Sequence, residues 1–191
     1  MKIGLFGGSF DPIHNGHLIT AMYLLETYEL NKIIFIPCYI SPHKLDKKYA
    51  PEEYRLNMIL AAIKGIDFFE ASDIEIKKKE ISYTIDTLQE LKKIYLNDDL
   101  YLIIGYDNLL VFDKWKDPDE IFKLAKVIAL RRISSFQEAN HEYFKKAIIA
   151  NAPIIQISSS EIRERIKNGK TIKFLVPDSV ADYIKANKLY L

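Results

Sequence analysis

The stretch Gly8-Ser9-Phe10-Asp11-Pro12-Ile13-His14-Asn15-Gly16-His17 sets two imidazoles three residues apart behind a glycine pair. Imidazole donates hydrogen bonds to phosphate oxygens or, with further ligands at suitable spacing, holds a metal ion. The metal reading is the poorer one, because His43 and His141 show no ligand spacing and Cys38 is the lone cysteine. A helix cap or a surface position stays open for either histidine. Gly7 and Gly8 let the backbone turn sharply and approach a ligand closely. A helix opening at Asn15 would turn unpaired N–H groups and the positive end of its dipole toward an anion. The spacing is neither GxxxxGK[ST] nor GxGxxG, so those two phosphate cradles are excluded. Gly16 weakens a helix, which predicts that something bulky packs against it.

A second anion site is legible at Ile157-Ser158-Ser159-Ser160-Glu161-Ile162-Arg163. Ser158 with Glu161 forms a capping box, so a plain helix start explains the pattern. Three hydroxyls, a helix N-terminus and Arg163 would equally grip a triphosphate. Arg165 falls on another helix face and reads as a surface charge. Three further clusters have ordinary structural readings one at a time. Ser82-Tyr83-Thr84 precedes a helix, Asp113-Lys114-Trp115 holds the single tryptophan, and Pro42-His43-Lys44 lies in a loop where lysine is usually solvated.

The elements that must position these residues alternate between strand and helix. Lys2 to Phe6, Lys32 to Ile36, Leu100 to Ile104 and Val127 to Leu130 are short apolar runs that predict buried strands. Asp67 to Ile76 and Pro153 to Ile157 are also expected as strands. Helices are predicted over 15–29, 51–63, 83–95, 119–124, 137–149, 160–167 and 178–186. Such alternation implies α/β architecture: a doubly wound, mainly parallel sheet with helices on both faces. Ligands of open parallel sheets bind beyond the carboxyl ends of the strands, where the loops at Gly7, Cys38, Gly105 and Ser158 should converge.

At 191 residues with 49% hydrophobic content, the chain predicts one domain spanning 1–191. A formal net charge of +1 gives no global basic field, which argues against a nucleic-acid polymer as partner. The lone cysteine excludes an internal disulfide, the first apolar run is too short for a signal peptide, and no run approaches the roughly 18 residues of a membrane helix. The expectation is a cytoplasmic protein without membrane contact. Composition leaves open whether it forms a homo-oligomer.

The order glycine pair, Ser9, Phe10-Asp11-Pro12, His14 and His17 resembles the signature of the (H/T)xGH nucleotidyltransferases. The resemblance implies a Rossmann-like nucleotidyltransferase fold and transfer of a nucleotidyl group from a nucleoside triphosphate to a phosphate. It also implies that His14 and His17 hold phosphate oxygens, with His17 stabilising charge at the α-phosphate. Ile157 to Arg163 resembles the family's ISxTxxR, with Ser160 in place of Thr and Arg163 implied at the β- and γ-phosphates. Lys44, the Ser82-Tyr83-Thr84 turn and the Gly105-Tyr106-Asp107 segment with Trp115 together resemble the bacterial nicotinate-nucleotide adenylyltransferases along essentially the whole chain.

That narrower resemblance implies ATP and nicotinic acid mononucleotide as substrates, with Mg²⁺ arriving on the triphosphate. Catalytic roles are implied for His14, His17, Lys44 and Arg163. ATP contacts are implied for Gly7, Gly8, Ser9, Phe10, Gly16, Gly105, Asp107, Ile157, Ser158 and Ser160 as well as His14, His17 and Arg163. For the mononucleotide, an indole face suits a cationic pyridinium, which assigns Trp115. Backbone N–H groups at a helix start suit its carboxylate, which assigns Tyr83 and Thr84. Asp107 suits ribose hydroxyls, and Lys44 and Arg132 suit phosphate. Cys38, Ser41, Tyr106 and Ile133-Ser134 depart from the family pattern at the acceptor end. The rival readings are a phosphopantetheine adenylyltransferase, which shares the first motif in a shorter chain, and a non-catalytic nucleotide sensor on the same fold.

Overall fold

A computed structural model describes residues 1–40, 49–131 and 141–191. Strands β1 (Lys2–Gly8), β2 (Lys32–Pro37), β3 (Phe69–Ala71), β4 (Asp99–Gly105), β5 (Lys126–Leu130) and β6 (Ile148–Ala150) form one six-stranded sheet in the order β3-β2-β1-β4-β5-β6. Every pairing is parallel. Helices α1 (Asn15–Thr27), α2 (Glu52–Ile63), α3 (Ile74–Lys78), α4 (Thr84–Ile94), α5 (Tyr106–Leu110), α6 (Pro118–Leu124), α7 (Glu142–Lys146), α8 (Ser159–Lys167) and α9 (Asp178–Ala186) connect and flank it, with a 3-10 turn at Phe112–Lys114. Among the described residues no helix is long and apolar enough to cross a membrane.

Successive strand side chains point to opposite faces, so each strand feeds two cores. Ile33 and Phe35 join Phe6, Leu24, Met58 and Ile184 beneath α1, α2 and α9. Ile34 and Ile36 join Ile3, Leu5, Leu88 and Ile121 beneath α4 and α6. Near-continuous apolar strands are what burial on both faces demands, and the doubly wound expectation holds. The chain leaves β1 toward the first core and β4 toward the second. A crevice therefore opens between their carboxyl ends, the topological switch point of such a sheet.

Three predicted elements differ. Only Phe69–Ala71 of the expected 67–76 strand pairs, and Ile74–Lys78 is helical. The expected helix over 137–149 is confined, among the described residues, to Glu142–Lys146, because Ile148 and Ile149 pair with Ile128 and Ala129 and extend the sheet as β6. The expected strand from Pro153 to Ile157 is irregular instead. The ladder partner it needed is already taken by β6, and Pro153 has no N–H to offer one. That segment becomes a wall of the crevice.

Candidate active site

Helices that follow parallel strands start at the strands' carboxyl edge, so α1, α4 and α8 all direct their N-termini toward one rim. The loop from Gly8 to His14 links β1 to the first of them. Its carbonyls are held from several directions. Gly8 accepts from the Cys38 amide at 2.9 Å, Ser9 from the Arg55 guanidinium at 2.8 Å, Asp11 from Arg163 at 2.7 Å and Pro12 from the Ser159 hydroxyl at 2.9 Å. Phe10, at φ 45, turns its ring inward, where it packs edge-on against His17 at 5.0 Å and against Phe6 and Phe35.

His14 caps α1 from a buried position, and its ring stacks on His17 with centroids 3.7 Å apart. The His14 amide donates to Nδ1 of His17 at 3.3 Å. An accepting Nδ1 puts the proton of the neutral ring on Nε2, which makes that nitrogen a hydrogen-bond donor. A Cβ at Gly16 would lie 3.0 Å from Nδ1 of His14 and 3.5 Å from Ile155. The bulky neighbour expected from Gly16 is thus the His14 ring itself with the far wall of the crevice.

A small open cleft lies here, lined by His14, Gly16, His17, Thr20, Arg131 and the 152–157 segment, including Ile157. Arg131, which the sequence did not single out, reaches this cleft and lies 5.8 Å over the Tyr106 ring. Its neighbour Arg132 lies outside the described residues, as do Lys44, Ser41 and Ile133-Ser134.

On α8, the Ser158 hydroxyl accepts from the Glu161 amide at 3.1 Å, as the capping pattern predicts. Arg163 stands one turn in, with the Ser160 hydroxyl accepting from it at 3.2 Å, and its guanidinium forms an ion pair with Asp11, 3.6 Å from Oδ2. Asp11 is fully buried, and its Oδ1 accepts from the Tyr190 hydroxyl at 2.7 Å and the Ala50 amide at 3.2 Å. The motif aspartate thus joins the β1 loop, Arg163 and the last helix's trailing residues. Burial first, then the neighbouring Asp11, pushes the Tyr190 phenol far above its ordinary range, so it remains a donor. Arg165 donates to the Thr171 carbonyl at 2.8 Å, outside this network.

Arg55 is 1% exposed and donates to the Ala50, Ser9 and Tyr39 carbonyls. It was missed because its signal is contextual. Arg55 shares the helical register of Met58, Ile59 and Ala62, the face that enters the core, and a charge there must find partners.

Across the crevice, Gly105 closes β4, and a Cβ there would collide with the carboxylate of Asp107, itself exposed at the start of α5. The β1 and β4 register, with Phe6 opposite Ile103, sets Gly7 and Gly8 level with Ile104 and Gly105. Tyr106 turns away from the crevice and meets Phe144 edge-on at 5.8 Å in the second core. Its bulk therefore fills the core rather than the space beside Asp107. Trp115 stacks one face on Phe112 at 4.7 Å and stays half-buried. Thr84 is the first residue of α4, while the Tyr83 amide donates to the Ile81 carbonyl at 3.0 Å. Of the pair, Thr84 is the better placed to offer its amide to a ligand. Lys116 joins the two segments, with its ammonium 4.8 Å over the Tyr83 ring and 3.0 Å from Asp86.

The structure thus gathers His14, Gly16, His17 and Ile157 around one cleft and ties Ser160 and Arg163 to its loop. Trp115, Tyr83 and Thr84 form a second group at the same sheet edge.

Comparison with known proteins places the chain in a family. The cytidylyltransferase-like family model matches residues 5–165. A Dictyoglomus thermophilum protein named "Probable nicotinate-nucleotide adenylyltransferase" is 41% identical over the full length of both chains. A Clostridium tetani protein of the same name is 43% identical, covering 99% of this chain and 98% of its own. The fold also matches a solved Plasmodium falciparum nicotinic acid mononucleotide adenylyltransferase complexed with NaAD, with TM-score 0.82 and 24% identity across 99% of this chain and 97% of that one. The matched span runs through both histidines and Arg163, and the relatives are full-length, so the chain belongs to the cytidylyltransferase-like family and, within it, to the nicotinate-nucleotide adenylyltransferases.

Proposed function

We propose that the protein transfers the adenylyl group of ATP to the 5′-phosphate of nicotinic acid mononucleotide, forming nicotinic acid adenine dinucleotide and pyrophosphate. The observation that carries this reading is the coupling of His17, its donor nitrogen fixed by the His14 amide, to a cleft bounded by a helix N-terminus and Arg131. An acceptor phosphate is largely dianionic at neutral pH, with a second pKa of about 6, so it attacks the α-phosphorus without a general base. Bond formation and departure of pyrophosphate occur in line, and no group of the protein becomes covalently attached.

The protein's own contribution is positioning and electrostatics. Nε2 of His17 donates to a nonbridging α-phosphate oxygen as charge develops there. His14 and the start of α1 hold the neighbouring phosphates, and Arg163 with the α8 N-terminus takes the pyrophosphate end. Asp107 suits ribose hydroxyls, while Trp115 and the Thr84 amide orient the nicotinate ring. Lys44 and Arg132 would complete the phosphate contacts.

Magnesium supplies neutralisation of the triphosphate when bound. Among the described residues no group of three or more His, Cys, Asp or Glu is arranged to hold an ion. The donors at the cleft suit phosphate oxygens, and the ion fits as a companion of ATP held by phosphate and water.

Direct transfer is tested by the stereochemistry at phosphorus. With the Sp diastereomer of ATP bearing sulfur at the α-phosphate, one in-line displacement inverts configuration in the dinucleotide product. Retention would require an intermediate on the protein and would contradict this mechanism.

A further inference from the structure

The bond network at the start of α4 bears on which pyridine mononucleotide fits, and the inference rests on the proposed acceptor. Lys116 follows Trp115 directly, and its ammonium lies 3.0 and 3.3 Å from the two Asp86 oxygens and 4.8 Å over the Tyr83 ring. Asp86 is in the first turn of α4, two residues after Thr84. The hydrogen bond to Asp86, joined by its charge, raises the Lys116 pKa above its ordinary value, so the ammonium stays charged. We infer that Lys116 is a specificity-determining residue, whose side chain makes the acceptor site prefer a ring carboxylate over a ring carboxamide.

An ammonium carries three donors, and Asp86 engages two of them. The third is available to a carboxylate on a ring stacked at Trp115, beside the dipole end of α4. Lys116 also masks Asp86. Without it, a bare carboxylate would face the ligand, repelling a nicotinate and accepting a hydrogen bond from a carboxamide N–H. The side chain thus acts twice in the same direction, once by attraction and once by cancelling an opposing charge. Its half exposure keeps the effect toward the low end for charged hydrogen bonds.

The test compares steady-state pyrophosphate release from Mg-ATP with nicotinic acid mononucleotide and with nicotinamide mononucleotide, for the parent protein, Lys116→Met and Lys116→Arg. In Lys116→Met, KM for the nicotinate compound is expected to rise about tenfold with kcat within about twofold, while KM for the nicotinamide compound stays level or falls. Lys116→Arg is expected to retain most of the preference because it keeps the charge. Equal losses for both compounds in Lys116→Met would mean that the side chain only clasps Tyr83 to Asp86, and would overturn the inference. A parent protein active with nicotinate but with an unchanged selectivity ratio in Lys116→Met would overturn it alone. A parent protein inactive with both compounds would overturn the proposed function and this inference together.

Discussion

His17 sits between two aromatic neighbours that leave its ring little freedom: Phe10 meets it edge-on and His14 stacks beside it. The bond from the His14 amide sets which nitrogen donates. His17→Ala removes a preorganised donor from the site of charge development, and kcat for pyrophosphate release is expected to fall about 10²–10³-fold with the fold intact. Unchanged turnover would sink its role. Trp115→Ala is expected to raise KM for the mononucleotide about tenfold with little change in kcat, read from saturation curves in the acceptor. Residue types and spacing singled out His14, His17 and Arg163 in the sequence because their chemistry is local, whereas Trp115 was singled out by the family resemblance. Arg55 and Arg131 were not legible, since their importance comes from which distant carbonyls or cleft walls they meet. Asp11 was read as a motif letter; only the folded chain shows that it joins Tyr190 to Arg163.

Three helix starts at one sheet edge make the site, and the loop before α1 is the part most constrained by other elements. Tyr190→Phe removes a donor from a fully buried carboxylate, and denaturant unfolding is expected to show a loss of about 1–2 kcal/mol. Because Asp11 also faces Arg163, turnover is expected to fall in the same variant under conditions where it remains folded. A variant as stable as the parent would contradict the network. Helices and central strands were legible from periodicity because they bury continuous apolar runs. The sheet's far edge was not: Ile148 and Pro153 both lie near apolar residues, and only pairing with Ile128 decides that the former enters the ladder. The same decision frees residues 152–157 to wall the cleft.

Among the described residues, one buried carboxyl lies outside the loop before α1. Glu75 lies under α4, where the Thr87 hydroxyl donates to it at 2.7 Å. Burial pushes its pKa above the ordinary 4.5, against hydrogen bonds from Thr87 and Ser82 that pull it down. The folded state therefore binds this proton more tightly than the unfolded chain. Stability contributed here is full below pH 4.5 and declines as pH rises through the elevated folded value. Glu75→Gln keeps an acceptor for Thr87 and removes that decline. Its Tm is expected to exceed the parent's near neutral pH and to converge with it near about pH 4. Convergence at neutral pH instead would show that burial does not raise the Glu75 pKa in the folded protein. Doubly wound architecture was legible from the alternation of elements, whereas this buried acid was not, because nothing in its local sequence marks the neighbours that enclose it.

The proposed function pairs this phosphate site with a nicotinate acceptor. The most direct measurement is pyrophosphate release by the purified protein from Mg-ATP with nicotinic acid mononucleotide, nicotinamide mononucleotide or phosphopantetheine as the only acceptor. The highest kcat/KM is expected with the nicotinate compound, together with formation of its adenine dinucleotide. Release confined to another acceptor would contradict the acceptor assignment, and ATP binding without release in any of the three would contradict catalysis itself.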